Sequence, residues 1–195
     1  MTALAPVVLH GRHVRLEPLS LAHVPRLVAI GLDPTLWQWI PHPVRDEAGM
    51  HAYVAAALDE QKRGVSLPFA IVDAGDGTVA GSTRYGNIDL ANKRVEIGWT
   101  WLGQRFQRTP MNTEAKLLLL RHAFDTLGLH RVELKTDALN MQSRTAILRI
   151  GAIEEGTFRK HVLTASGRWR DSVYFSILDT EWPAVKTRLT SKLGD

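Results

Sequence analysis

Cysteine is absent from the 195-residue chain, which excludes disulfide staples, thiolate-bound zinc and a cysteine nucleophile. No apolar run approaches the roughly 20 residues of a membrane-spanning helix. The opening residues lack the pattern of a secretory signal, so a cytoplasmic location is the expectation. The eight histidines form no HExxH or comparable ligand pair, and no metal is expected. The stretch AGDGT (74–78) is neither a P-loop nor a dinucleotide fingerprint; a hairpin turn explains it. Internal repeats, low-complexity tracts and linker-like composition shifts are missing too, which predicts one domain over residues 1–195.

What remains is ordinary globular composition, with 45% hydrophobic and 23% charged residues and enough length for a substantial core. The net charge of +4 suits an anionic ligand. It is too diffuse to argue for nucleic acid, because no basic stripe with interleaved aromatics accompanies it.

Along the chain, HVRLEPLS (13–20) predicts a first strand ending at Pro18, and Ser20 then caps a helix to about Ile30. The stretch DPTLWQWIPHPV (33–44) predicts an ordered loop, and Asp46 opens a second helix to about Lys62. Strands follow at 69–72 and 78–85, joined by the hairpin turn. Further strands are predicted at 95–102, 131–136, 153–158 and 172–178. Asn140 caps a helix that stops at Gly151, and a C-terminal helix covers 181–193. The segment 95–136 reads as a βαβ crossover, so its two strands are expected to be parallel. The predicted class is α+β, a mostly antiparallel sheet with one splayed parallel pair and flanking helices.

The richest segment is VEIGWTWLGQRFQRTPMNTEAKLLLLRHAFDTL (95–127). Val95, Ile97, Trp99 and Trp101 alternate with Glu96, Gly98 and Thr100, which is strand periodicity. Leu117, Leu120, Phe124 and Leu127 recur at three- and four-residue steps, which predicts a helix to Leu127. The intervening turn carries Arg105 and Arg108. Guanidinium groups and the free amides of a helix start both suit phosphate. Pro110 has no N–H to offer, which leaves the amides of Arg108, Thr109, Met111 and Asn112, with Thr113 completing the turn, as a candidate cradle. A solvated charged turn is the plainer reading.

This order of elements, with VEIGWTWL…QRTPMNTEAKLLLL (95–120) and RVELKTDALNMQSRTAILRIGAIEEGTFR (131–159), resembles the GNAT superfamily of acetyl-coenzyme A-dependent N-acetyltransferases. The likeness is closest to its ribosomal-protein N-acetyltransferase (Rim-type) branch and covers nearly the whole chain. It implies acetyl-CoA as cosubstrate, with pantetheine along Trp99, Thr100 and Trp101 and pyrophosphate at the turn. There the family's pattern of Q/R-x-x-G-x-G/A is replaced by Gln107-Arg108-Thr109-Pro110-Met111-Asn112. It also implies a cofactor contact at Asn140, which capping alone would explain as well.

The family's leaving-group tyrosine falls here at Ile147, which cannot move a proton. Ser143 is the remaining hydroxyl on that helix, a candidate acid or a serine bonding only local backbone. Glu96 stands where the family often keeps a general base. An apolar wall would raise its pKa; the alternative is a cross-strand ion pair with Arg84. Glu114, Glu154 and Glu155 are lesser candidates. Trp37 and Trp39 form the acceptor wall on the resemblance and a core pair on the plainer reading.

The resemblance implies direct attack of a primary amine, a protein N-terminus or a small molecule, in a ternary complex. An α-amine (pKa ~7.7–8) is far more often neutral at pH 7 than a lysine (~10.4) and is the easier acceptor. A non-catalytic coenzyme A-binding sensor is the alternative, and a homodimer is left open.

Overall fold

The computed structural model describes residues 4–194. Eight strands build one sheet: β1 (Leu9–His10), β2 (Val14–Pro18), β3 (Leu67–Asp73), β4 (Val79–Asp89), β5 (Arg94–Leu102), β6 (Arg131–Asp137), β7 (Ile153–Leu163) and β8 (Trp169–Leu178). Their spatial order is β1-β2-β3-β4-β5-β6-β8-β7. The helices are α1 (Val24–Gly31), α2 (Glu47–Lys62), α3 (Met111–Arg121), α4 (Met141–Arg149) and α5 (Trp182–Leu193). The fold is the α+β architecture the sequence predicts, and β5–β6 is the one parallel pair among the described residues.

Side chains alternate across the sheet, which gives it two faces. Val95 and Ile97 of β5, Val132 and Leu134 of β6, and Phe175 and Ile177 of β8 join Leu117, Leu119 and Leu120 of α3 and Leu189 of α5 in the larger core. On the other face, Ala70, Val72, Val79 and Trp101 pack against Leu27 of α1 and Met50 and Val54 of α2. Helices α1 and α2 cover β3 and β4, and the same face of β5, β6 and β8 carries polar residues instead.

Five expectations are corrected. The first helix begins as a 3-10 turn (Leu21–His23), and β1 is a strand the sequence reading did not contain. The basic-turn helix does not run α-helically to Leu127: residues His122–Thr126 form a π turn, closed by Leu127 N–H donating to His122 O at 2.9 Å. The Tyr85 hydroxyl donates to the Leu119 carbonyl just before it, and such intrusion into a helical ladder widens the turn. Strand β7 runs five residues past Phe158 and β8 starts three before Ser172. Residues 153–161 of β7 are exposed on both faces, so no apolar alternation marked its length.

Candidate active site

Strands β5 and β6 pair only at Arg94↔Arg131, Val95↔Val132 and Glu96↔Glu133. Beyond Glu96 they part and leave a cleft. On the other side of β5, Gly98 opposes Arg84 and Trp101 opposes Ser82. Two residues, Trp99 and Thr100, therefore face Thr83 alone, which makes a β-bulge. Trp99 is left-handed, φ 50°, a conformation that costs about 1–3 kcal/mol and persists only where its surroundings enforce it. They do: its ring lies 4.9 Å from the Arg84 guanidinium and 5.8 Å from Lys135 Nζ. It also covers Gly86, where a Cβ would stand 2.3 Å from the indole. Tyr53 of α2 reaches the Trp99 carbonyl (3.4 Å) and Ser82 Oγ (3.1 Å).

Thr100 is held from beneath. Its Oγ1 meets Thr83 Oγ1 at 2.8 Å and accepts from Lys116 Nζ of α3 at 2.6 Å. Lys116 is 7% exposed, and burial pulls its ammonium down to about 7.

The strand then enters a turn braced by Gln107 Nε2 donating to Leu102 O (3.0 Å) and Thr109 Oγ1 donating to Phe106 O (2.7 Å). Arg108 takes a left-handed conformation, φ 59°, and Pro110 is the residue before the first turn of α3. Glu114 N–H goes to Pro110 O, and Met111 N–H makes a long 3.4 Å contact with Thr109 Oγ1. No hydrogen bond among the described residues uses the N–H of Arg108, Thr109, Asn112 or Thr113, and Asn112 Oδ1 is buried without a partner. Free amides at the positive end of a helix fit a pyrophosphate. Proline at a helix start is also preorganised for this geometry, so Pro110 is compatible with the start of α3. Arg105 is turned elsewhere: it lies on the Phe106 ring (4.5 Å) and, with Arg26 and Asp76, lines a pocket beside α1 and the β3–β4 hairpin. Arg108 is thus the arginine of the turn itself.

Asn140 caps α4, its Oδ1 accepting from Ser143 N–H at 3.0 Å. Ser143 is half-buried, and its hydroxyl makes no hydrogen bond among the described residues. Ile147 faces the larger core.

Glu96 stands where the cleft begins, on the polar face, and is 2% exposed. Its partner is not Arg84, which goes to Glu60 of α2 at 3.0 Å. Instead Glu96 Oε2 takes Lys135 Nζ from the adjoining parallel strand (2.9 Å) and Asn87 Nδ2 (2.7 Å), while Oε1 makes no hydrogen bond among the described residues. Its surroundings are polar, not the apolar wall the sequence suggested. The lesser carboxylates are occupied. Glu114, 4% exposed, accepts from the N–H groups of Arg12, His13 and Val14 (2.8, 2.6 and 2.7 Å). Glu154 pairs with Arg144. Arg131, with Ser176, holds Glu155 down to about 2.

The W-x-W pair divides. Trp37 is core, 2% exposed, its Nε1 donating to Gly31 O at 2.7 Å and its ring against Tyr53 and Trp101. Trp39 is half-buried, with the Arg168 guanidinium 6.0 Å from its ring. Between this loop and the β7–β8 hairpin lies a cavity of about 470 Å³, walled by Trp37, Ile40, Pro41, Val44, Ala165 and Arg168. Sequence reading missed Tyr53, Asn87, Lys116 and Lys135. Lys116 did leave a sign, a lone cation inside the apolar run of TEAKLLLL.

A sheet split by one parallel pair, bulged beside the gap and followed by a helix start with free amides, is the architecture of an acyltransferase fold. The chain belongs to the acetyltransferase (GNAT) domain family, whose model matches residues 13–153. A GCN5-related N-acetyltransferase from Brucella melitensis superposes with a TM-score of 0.90 at 35% identity, over 97% of this chain and 86% of that one. YdaF of Bacillus subtilis (strain 168), provisionally named a ribosomal N-acetyltransferase, is 36% identical over 111 residues. Those residues are 57% of this chain and 60% of YdaF, so the match spans under two thirds of that relative. The [Ribosomal protein uS5]-alanine N-acetyltransferase of Escherichia coli (strain K12) is 25% identical over 146 residues, 72% of this chain and 74% of the relative. Among the described residues no group of three or more His, Cys, Asp or Glu is placed to hold a metal ion, and no helix is long and apolar enough to cross a membrane.

Proposed function

We propose that the protein transfers acetyl from acetyl-CoA to a primary amine in a single ternary complex. The observation that carries this reading is the gap that opens between the parallel strands beyond Glu96, with the β5 bulge at Trp99 beside it and the free amides at residues 108–113 after it. Acetyl-CoA supplies an activated thioester. Arg108, with the amides of Thr109, Asn112 and Thr113, holds the pyrophosphate; the backbone from Trp99 to Trp101 receives the pantetheine arm, with Asn140 at the opposite edge. A backbone N–H of Trp99–Leu102 meets negative charge developing on the acyl oxygen. Glu96 takes the acceptor's proton at Oε1 while Asn87 and Lys135 fix Oε2, and the Ser143 hydroxyl gives a proton to the departing sulfur. The amine approaches from the polar face, under the loop carrying Trp37 and Trp39.

The acceptor is best read as an α-amine. Its ordinary pKa makes it the easier nucleophile, and the names of the ribosomal relatives point the same way. A thiol-release screen of amines and peptides tests the activity. Glu96→Gln should lower kcat/KM by about 10²–10⁴-fold and abolish the acidic limb of its pH profile. An acidic limb that survives in the variant rules out Glu96 as the base. A protein that binds coenzyme A and turns over no amine is the sensor instead.

A further inference from the structure

Beyond Glu96, the polar face of β6 and β8 carries one cation more than its carboxylates account for. Lys135 is paired with Glu96, and Arg168 with Asp137. Arg170 is left over. It is 8% exposed, its Nε is buried without a partner, and none of its nitrogens makes a hydrogen bond among the described residues.

Its place follows from the ladder. Lys135 pairs with Tyr174 and Asp137 with Ser172, so Arg170, two residues further along β8, shares their face just past the end of β6. That is beyond the last β5–β6 rung, on the side to which the two strands have parted. Its charge is felt by Asp137, Glu96 and Tyr174. Next to it Ser172 Oγ is fully buried and also unpartnered. A guanidinium stays protonated in a protein, and enclosing its Nε unpaired is costly. Water can take a hydrogen bond but not the charge. A single excess positive charge, a planar fork of donors and one hydroxyl match a carboxylate, which binds such a fork bidentately. The neighbouring Asp137 disfavours a dianion.

Resting on the acetyl-transfer reading of this face, we propose that Arg170, with Ser172, anchors a carboxylate of the acceptor, so that the preferred substrates are primary amines bearing an acidic group near the amine. The carboxylate belongs either to an acidic side chain close to a peptide N-terminus or to the α-carboxylate of a short acceptor.

Thiol release from acetyl-CoA is measured with Ala-Gly-Gly-amide, Ala-Asp-Gly-amide and free Ala-Gly, which separate no carboxylate, side-chain carboxylate and α-carboxylate. The wild-type KM should be about 10- to 100-fold lower for one acidic acceptor than for the neutral peptide. In Arg170→Gln that preference should collapse to within about two-fold, with Arg170→Lys and Ser172→Ala intermediate and acetyl-CoA affinity unchanged. Equal wild-type KM values overturn the proposal, as does an Arg170→Gln variant that loses acetyl-CoA affinity and keeps its acceptor preference. If no amine turns over, the transfer reading fails, and calorimetry of the same peptides on the coenzyme A-saturated protein still decides. A wild-type preference for an acidic peptide that Arg170→Gln abolishes keeps the anchor; no preference removes it. Should Arg170→Gln fail to fold by circular dichroism, Ser172→Ala and Arg170→Lys carry the comparison.

Discussion

Replacing Lys116 by Met should stabilise the protein at acidic pH and remove part of its pH dependence. Lys116 is buried among α3 leucines, with Thr100 Oγ1 as its hydrogen-bond partner, and no carboxylate is paired with it among the described residues. Burial holds its pKa at about 7 in the folded protein, against 10.5 ordinarily. Between these values the unfolded chain binds the proton and the folded one does not. The unfolded state then binds more protons, and stability rises with pH. Below pH 7 both states are protonated, and the full penalty of the buried ammonium is present. With a folded pKa near 7, this residue's share of stability should increase by about 2 kcal/mol between pH 7 and pH 9. Met keeps the length and apolar stem without the charge, so the cost of taking the ammonium out of water is removed. Urea unfolding of both proteins at pH 6, 7 and 9 gives the difference free of other titrating groups. The variant's advantage should be largest at pH 6 and shrink by about 2 kcal/mol from pH 7 to pH 9. An advantage independent of pH, or a variant less stable at pH 6, refutes a buried ammonium at this site.

Charge reversal in the turn, Arg108→Glu, should weaken acetyl-CoA binding, more at low than at high ionic strength because salt screens the repulsion; unchanged affinity by calorimetry in low salt would place the pyrophosphate elsewhere. Glu114→Gln replaces a carboxylate that accepts three backbone N–H bonds and should cost about 2–4 kcal/mol in urea unfolding, while kcat well below the melting transition stays within about two-fold; a large kcat loss in a folded variant would return Glu114 to the list of bases. Trp37→Ala should cost about 3–5 kcal/mol as a core truncation, whereas Trp39→Ala should leave stability within about 1 kcal/mol and raise acceptor KM; the reverse pattern by thermal melting and steady-state kinetics would exchange the roles of the two indoles.

The parts legible in the sequence are those where one periodicity governs a whole element. Val95, Ile97 and Trp101 announced β5, and the leucines of α3 announced a helix, because burial on one face sets the spacing. The basic turn was legible because Arg108 and a helix start fall together. Pairing choices were not. Glu96 has two arginine-or-lysine neighbours within reach of reasoning, Arg84 on β4 and Lys135 on β6, and only the structure assigns them: α2 brings Glu60 down on Arg84, which leaves Lys135 for Glu96. Arg105 and Arg108 look alike in sequence, yet Phe106 draws the first away from the helix start. Trp37 and Trp39 are two residues apart, but a 3-10 turn over Pro34–Trp37 buries the first and leaves the second half-buried near Arg168.

The bulge is the feature that periodicity hid while depending on it. Val95 and Ile97 point to the α3–α5 core, so an unbroken strand would send Trp99 and Trp101 to that side and Leu102 to the other. The observed sides are the opposite: Trp101 packs with α1 and α2, and Leu102 with the larger core. One inserted residue inverts every side chain after it, and the insertion is Trp99-Thr100 opposite Thr83. Both cores therefore enforce the bulge, each by demanding its own residue at the end of β5. Trp99 is held left-handed by the packing of residues on either side of it, and Thr100 is turned toward Lys116. The chemistry assigned to this position thus rests on an element that neither core could release without misplacing Trp101 or Leu102.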